Sequence, residues 1–236
     1  MNKPVFVDQP GWLGDIIFVM SIAQKYASMG HDVYYPVYDN YLKIPSIKKN
    51  FPEINFSSVK NFPNYKKYYG MTITEDSDYI FLPFVGNFNK YKHTDHMRYK
   101  YELLGYSLDM WRDVKITRDY DAENKLMNEL NISYGEKYNL INQNYSTIRK
   151  ITGSASFVID NNFRNINMKI LDGYNLFDWM GIIERATTIH TIHTSIQYIL
   201  DVMLNITEEL HIYPRTEIGE SHSKYDYIFT KKYEYH

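Results

Sequence analysis

The sequence predicts an α/β protein built from two successive halves, each with a parallel sheet. Three observations carry this. A short apolar strand, Pro4 to Asp8, runs into a glycine loop, then an amphipathic helix, then a second strand, within about 35 residues. Strand, loop, helix and strand in that order make a crossover unit, which forces the two strands parallel. A strand-to-loop pattern restarts at Tyr138 and is followed by further alternation of strands and helices. The chain of 236 residues is long enough for two compact domains. Their expected ranges are 1–125 and 126–236, with the connection somewhere in Arg118–Lys137.

Each element has its own justification. Pro4 to Asp8 is short, β-branched and aromatic, and is closed by turn formers. The loop Gln9-Pro10-Gly11-Trp12-Leu13-Gly14 leads into a helix over about Asp15–Met29, with Ile16, Val19, Met20, Ala23 and Ala27 on one face. Gly30 stops that helix. Strands are expected at 32–37, 54–59 and 78–83, and helices at 40–50, 96–104 and 123–130. In the second half, strands are expected at 138–142, 157–160, 168–171, 188–192 and 210–213. Helices are expected at 176–186 and 195–203.

Composition narrows the class. Hydrophobic residues make up 44% and charged residues 23%, ordinary values for a globular chain. A net charge of −2 gives no general attraction to nucleic acid or anionic membrane, leaving only local patches. Absence of cysteine removes disulfides and thiolate chemistry. Asp8, Pro10 and Gly11 interrupt any leader-like apolar run, and no stretch reaches the ~18 apolar residues of a membrane span. A soluble, cytoplasmic protein is expected, the cytoplasm of a virus-infected host cell included.

Three constellations could carry chemistry. In the first, Gly11, Trp12, Gly14 and Asp15 stand at the carboxyl end of the first strand, where open α/β sheets place ligands. Asp15 is read either as a helix cap or as a functional carboxylate, with capping slightly ahead on chemistry alone. The spacing is not the GxGxxG of dinucleotide binding. In the second, His193, Thr194 and Ser195 lie where a strand yields to a helix, a geometry that suits a diphosphate or, equally, an N-cap. His190 and His193 point to opposite faces of a strand, so no metal ligands are assigned. The third is the basic aromatic run Lys90–Tyr101, read mainly as a solvated helix face with its tyrosines inward. Trp12 and Trp179 are each read as core or sugar platform, with core the commoner use.

The Leu13-Gly14-Asp15 loop after strand PVFVD, with Ile16 and Ile17 opening the next helix, resembles the N-terminal motif of heptosyltransferase-like glycosyltransferases. Tyr138–Asn142 resembles the strand opening that family's donor half, and Thr194-Ser195 occupies the position of its diphosphate loop. That loop departs from the family pattern: His193 stands for an Asp, Ser195 for a Gly and Tyr198 for a His. The resemblance implies a GT-B fold of two Rossmann-like halves, with the donor in the cleft between them. It implies a nucleotide-sugar donor as substrate, no cofactor, and a carbohydrate, glycolipid or small-molecule acceptor. It further implies inverting, metal-independent transfer with Asp15 as general base. Donor contacts would come from Ser146, Thr147, Thr194 and Ser195, with a cation from Arg149 or Lys150, which are read equally as surface charge. Two rival readings stand beside it. One is a phage-type transferase acting on a DNA base, supported only by the basic run, so nucleic acid is the less favoured partner. The other is a non-catalytic nucleotide- or sugar-binding protein of the same fold, motivated by His193 and Tyr198. The sugar, the base and the oligomeric state are not written in the sequence.

Overall fold

The computed structural model describes residues 2–43, 46–61, 73–75, 78–84, 96–146, 152–154, 157, 159, 162–214 and 226–236. Two compact units result, Met1–Thr117 and Arg118–His236. The second unit begins at the first residue of the expected connection, Arg118–Lys137, and the helix Tyr120–Glu129, which packs on Met180–Arg185, belongs wholly to it.

In the first unit, β1 (Val5–Asp8), β2 (Val33–Val37), β3 (Asn55–Ser58), β4 (Thr74–Glu75) and β5 (Ile80–Pro83) form a sheet of order β3-β2-β1-β5-β4. β1 lies at the centre, parallel to both neighbours, with Val5 opposite Val33 and Ile80. Helix α1 (Leu13–Ser28) buries an unbroken run from Ile16 to Ala23. That run is longer than the single stripe expected, because Trp111 and Tyr101 close over Phe18. Gly30 follows the helix at φ 86°, the left-handed position glycine enters without a Cβ penalty. The 40–50 segment forms two short helices, α2 (Asp39–Lys43) and α3 (Ile47–Asn50), in place of one. β4 is antiparallel to β5, so this sheet is parallel except at one edge. Helix α4 spans His96–Glu102.

The second unit begins with α5 (Tyr120–Glu129). Its sheet, β12-β11-β10-β6-β9, is parallel throughout. The strands are β6 (Tyr138–Asn142), β9 (Arg164–Asn167), β10 (Thr188–Ile192), β11 (Leu210–Tyr213) and β12 (Glu234–Tyr235). β6, β10 and β11 fall where the sequence predicts them. The strand expected at 168–171 is instead β9, four residues earlier: Ile166 buries and Arg164 and Asn165 face out, a polar edge pattern that hydrophobicity alone misses. Asn144–Ser146 (β7), expected as polar loop, pairs antiparallel with Thr152–Ser154 (β8). Of the strand expected at 157–160, residues 158 and 160 lie outside the described residues. The helix expected at 176–186 is a 3-10 turn, Leu176–Trp179, followed by α6 (Met180–Arg185). Asn175 and Asp178 cap each other at its start. Helix α7 is Ile196–Val202.

Arg118 ties α5 to α6. Its guanidinium donates to both oxygens of buried Glu123 (2.8 and 2.5 Å) and to Glu184 (3.0 Å). The Glu123 carboxylate lies where a Cβ on Gly181 would stand, 2.7 Å from it, so glycine is what lets the two helices approach.

Candidate functional site

The site in the first unit grows from the end of β1. Asp8 and Gln9 are buried there, and α1 starts four residues later. Trp12 makes the turn with φ 57° and ψ 105°, so the strained backbone falls on the tryptophan and on neither glycine of the loop. Such a conformation costs of order 1–3 kcal/mol and persists only where surrounding structure enforces it. The indole is 49% exposed, whereas Trp179 is buried. Trp179 is therefore core, and Trp12 is not.

Asp15 sits in the first turn of α1, yet it is not the helix cap. Trp12 holds the N-cap position and makes no side-chain cap bond. Lys100 donates instead to Asp15 Oδ1 at 2.5 Å and to Gln9 Oε1 at 2.9 Å. The Gln9 amide donates on to the carbonyl of Gly11. Lys100 is 2% exposed and Asp15 24%. A buried ammonium needs compensation by charge and hydrogen bonds, and these two acceptors supply it. The reading of the basic run as a solvated face is thus corrected at Lys100, which turns inward. Tyr101 turns inward as expected, its hydroxyl bonded to Ser21 and to the carbonyl of Phe18. Lys90 to Asp95 lie outside the described residues.

The backbone at the start of α1 has its own partner. The Tyr41 phenol is hydrogen-bonded to the backbone of Trp12 and Leu13 and to the Asn40 side chain. Burial nevertheless pushes this phenol up, outweighing the bonds that favour its ionised form.

In the second unit the corresponding strand end belongs to β6 and β10. Asn142 Nδ2 donates to Thr191 Oγ1 and to Thr194 Oγ1, both at 2.9 Å. This fixes Thr194 at the carboxyl edge of the sheet. Ser195 is the N-cap residue of α7, but its side chain makes no cap bond. The capping alternative is therefore not how these hydroxyls are used. Half-buried His193 follows β10 and lies near the Phe229 ring. Ser146 is placed by the β7–β8 pairing, opposite Thr152. Thr147, Arg149 and Lys150 lie outside the described residues.

Sequence reasoning missed Gln9, Lys100, Tyr41 and Asn142. Lys100 and Gln9 are 91 residues apart, and only the packing of α4 beside β1 and α1 joins them. A polar residue ending an apolar strand, as Asn142 does, was the available signal for the fourth.

No protein-family model matches the chain, and no curated protein sequence matches it. Among solved structures it is similar to the bacterial iron-containing dodecameric glycosyltransferase TibC of enterotoxigenic E. coli. The TM-score is 0.49 and the identity 11%, over 90% of this chain and 58% of that one. The chain therefore spans less than two thirds of that protein's length. A likeness this distant carries no argument about activity, which must come from the residues described above.

Proposed function

We propose that the protein is a glycosyltransferase that moves a sugar from a nucleotide-sugar donor to a hydroxyl of a carbohydrate, glycolipid or small-molecule acceptor. The observation that carries this reading is the carboxylate of Asp15. It is partly exposed at the carboxyl end of β1 and held through one oxygen by a buried lysine. The Leu13-Gly14-Asp15 loop resembles the corresponding motif of heptosyltransferase-like enzymes, and two α/β units suit the GT-B arrangement that the resemblance implies.

In this mechanism Asp15 takes the proton of the acceptor hydroxyl as that oxygen attacks the anomeric carbon. The bond to the donor's diphosphate breaks as the new glycosidic bond forms, and the configuration inverts. Lys100 and Gln9 orient the carboxylate, so that its geometry is set before the substrate arrives. The departing nucleoside diphosphate gains charge, which the backbone N–H groups and hydroxyls around Thr194 and Ser195 stabilise. Exposed Trp12 supplies an apolar face for a sugar ring. No metal is assigned to the transfer step.

The test is transfer from a panel of nucleotide sugars in the presence of a chelator, comparing wild type with Asp15→Asn. Loss of transfer with nucleoside diphosphate binding retained is the expected result. A fully active Asp15→Asn protein would sink the general-base role. The Lys100–Asp15 pair itself favours a second reading, in which Asp15 is structural and the protein binds nucleotide or sugar without turnover. Binding with no transfer in wild type, unchanged by Asp15→Asn, supports that reading.

A further inference from the structure

Parallel pairing in the second sheet sets His190 opposite His211, and His211 opposite Glu234. Side chains two residues apart on a strand share a face. Tyr213, two residues along β11, and His236, just past the end of β12 with its backbone N–H bonded to the Ile212 carbonyl, therefore join this row. The rings order one another. His211 lies flat on His190 (centroids 4.5 Å, 7°) and His236 flat on Tyr213 (4.4 Å, 8°). A contact of 3.1 Å between His190 Nδ1 and the Tyr213 hydroxyl ties the two stacks together.

The stacks aim three ligand atoms at one point. His211 Nδ1 is 3.1 Å from His236 Nε2; Glu234 Oε2 is 3.4 Å from the former and Glu234 Oε1 is 3.7 Å from the latter, and one ligand atom from each residue can be chosen with all three within 4.8 Å of one another. A four-coordinate zinc ion with bonds of about 2.0–2.1 Å holds neighbouring ligand atoms about 3.3–3.4 Å apart at the tetrahedral angle. The His211–His236 and His211–Glu234 Oε2 separations lie on either side of that value, and the second carboxylate oxygen faces His236. Two imidazoles and a carboxylate are also the donor set that a borderline divalent ion prefers.

We propose that His211, His236 and Glu234 form a zinc site, completed by water, that pins the two-residue strand β12 to the sheet. Glu234 is 66% exposed, which leaves the ion an entry path and an open fourth position. His190 and Tyr213 act as the outer frame that sets the ring planes. The site shares no residue with the proposed transfer machinery, so it stands or falls independently of that function.

The test uses untagged full-length protein, stripped with chelator, dialysed and titrated with zinc chloride by calorimetry. One equivalent should bind and raise the melting temperature. Glu234→Gln and His236→Gln, both at exposed positions, should each weaken binding at least about tenfold and abolish the thermal shift. His31→Gln, in the other unit, should leave both unchanged. No zinc uptake by wild type would overturn the proposal. So would uptake of the same affinity in Glu234→Gln and His236→Gln, which would place the ion elsewhere.

Discussion

At the scale of single residues, the pair Lys100–Asp15 decides most. A lysine with only 2% exposure weakens the fold unless acceptors compensate its lost hydration. Asp15→Asn leaves an amide oxygen to accept but removes the opposite charge, and should cost roughly 1–3 kcal/mol in urea unfolding at neutral pH. Lys100→Met alone frees a carboxylate that still reaches water, and should cost less. In the double variant the two costs should not add, leaving a coupling of about 1–3 kcal/mol. Simple additivity would mean that the pair is not formed in solution. The cycle also separates stability from chemistry, because transfer should stay lost in every variant lacking the aspartate. Asp15 was legible in the sequence from its glycine loop. Its partner was not, because a lysine within Lys90–Tyr101 looks like solvated charge until α4 is packed against α1.

Between elements, two contacts invite measurement. The carboxylate of Glu123 fills the space over Gly181, so Gly181→Ala must push aside a group that Arg118 holds from two sides. Glycine costs a helix interior about 1 kcal/mol relative to alanine, so the substitution would ordinarily help. Here overpacking should win, with a net loss of about 1–3 kcal/mol in chemical denaturation. A stabilised Gly181→Ala would show that the helices separate easily. The second contact is the stack of the His190 ring of β10 on the His211 ring of β11. Burial, and secondarily the neighbouring His211 and His236, push His190 down to about 4. Between about pH 4 and the ordinary histidine value near 6.5, the unfolded chain binds the proton and the folded one does not. Stability is therefore full above about pH 6.5 and declines as pH falls through that window, by up to about 3 kcal/mol. In metal-free protein, His190→Phe should flatten the pH 4–6.5 limb of the stability profile. An unchanged limb would assign it to other groups.

For the whole molecule, the alternation of strands and helices told the fold class, because buried parallel strands are short apolar runs that stand out from their surroundings. β6, β10 and β11 are such buried strands, each built around Ile or Leu even where Asn, Thr or His interrupts the run. What escaped were pieces whose pairing rests on backbone bonds and distant partners: the two-residue β4 and β12, the β7–β8 hairpin and polar β9. The candidate site divides along the same line. Its loops follow from glycines and strand ends, while Gln9, Tyr41, Lys100 and Asn142 enter by tertiary packing. A nucleoside diphosphate bound only by the folded protein, present at one hundred times its dissociation constant, adds about 2.7 kcal/mol and should raise the melting temperature by about 5–10 °C. The shift should appear without added metal and shrink when Thr194 and Ser195 are both replaced by alanine. No shift with any nucleotide in a broad panel would remove the donor-binding role from the second unit.

Each sheet closes on one side with a strand of only two residues, β4 in one and β12 in the other. Glu75 on the first is paired with Lys3, and Glu234 on the second faces water. The opposite margin of the second sheet carries Arg164, tied to Glu136. A neighbouring polypeptide seeking an open ladder of N–H and C=O groups would meet two margins of only two residues each and a third that carries charge. At these three margins, among the described residues, strand addition is disfavoured, and with it the route by which crowded β-containing proteins grow into aggregates.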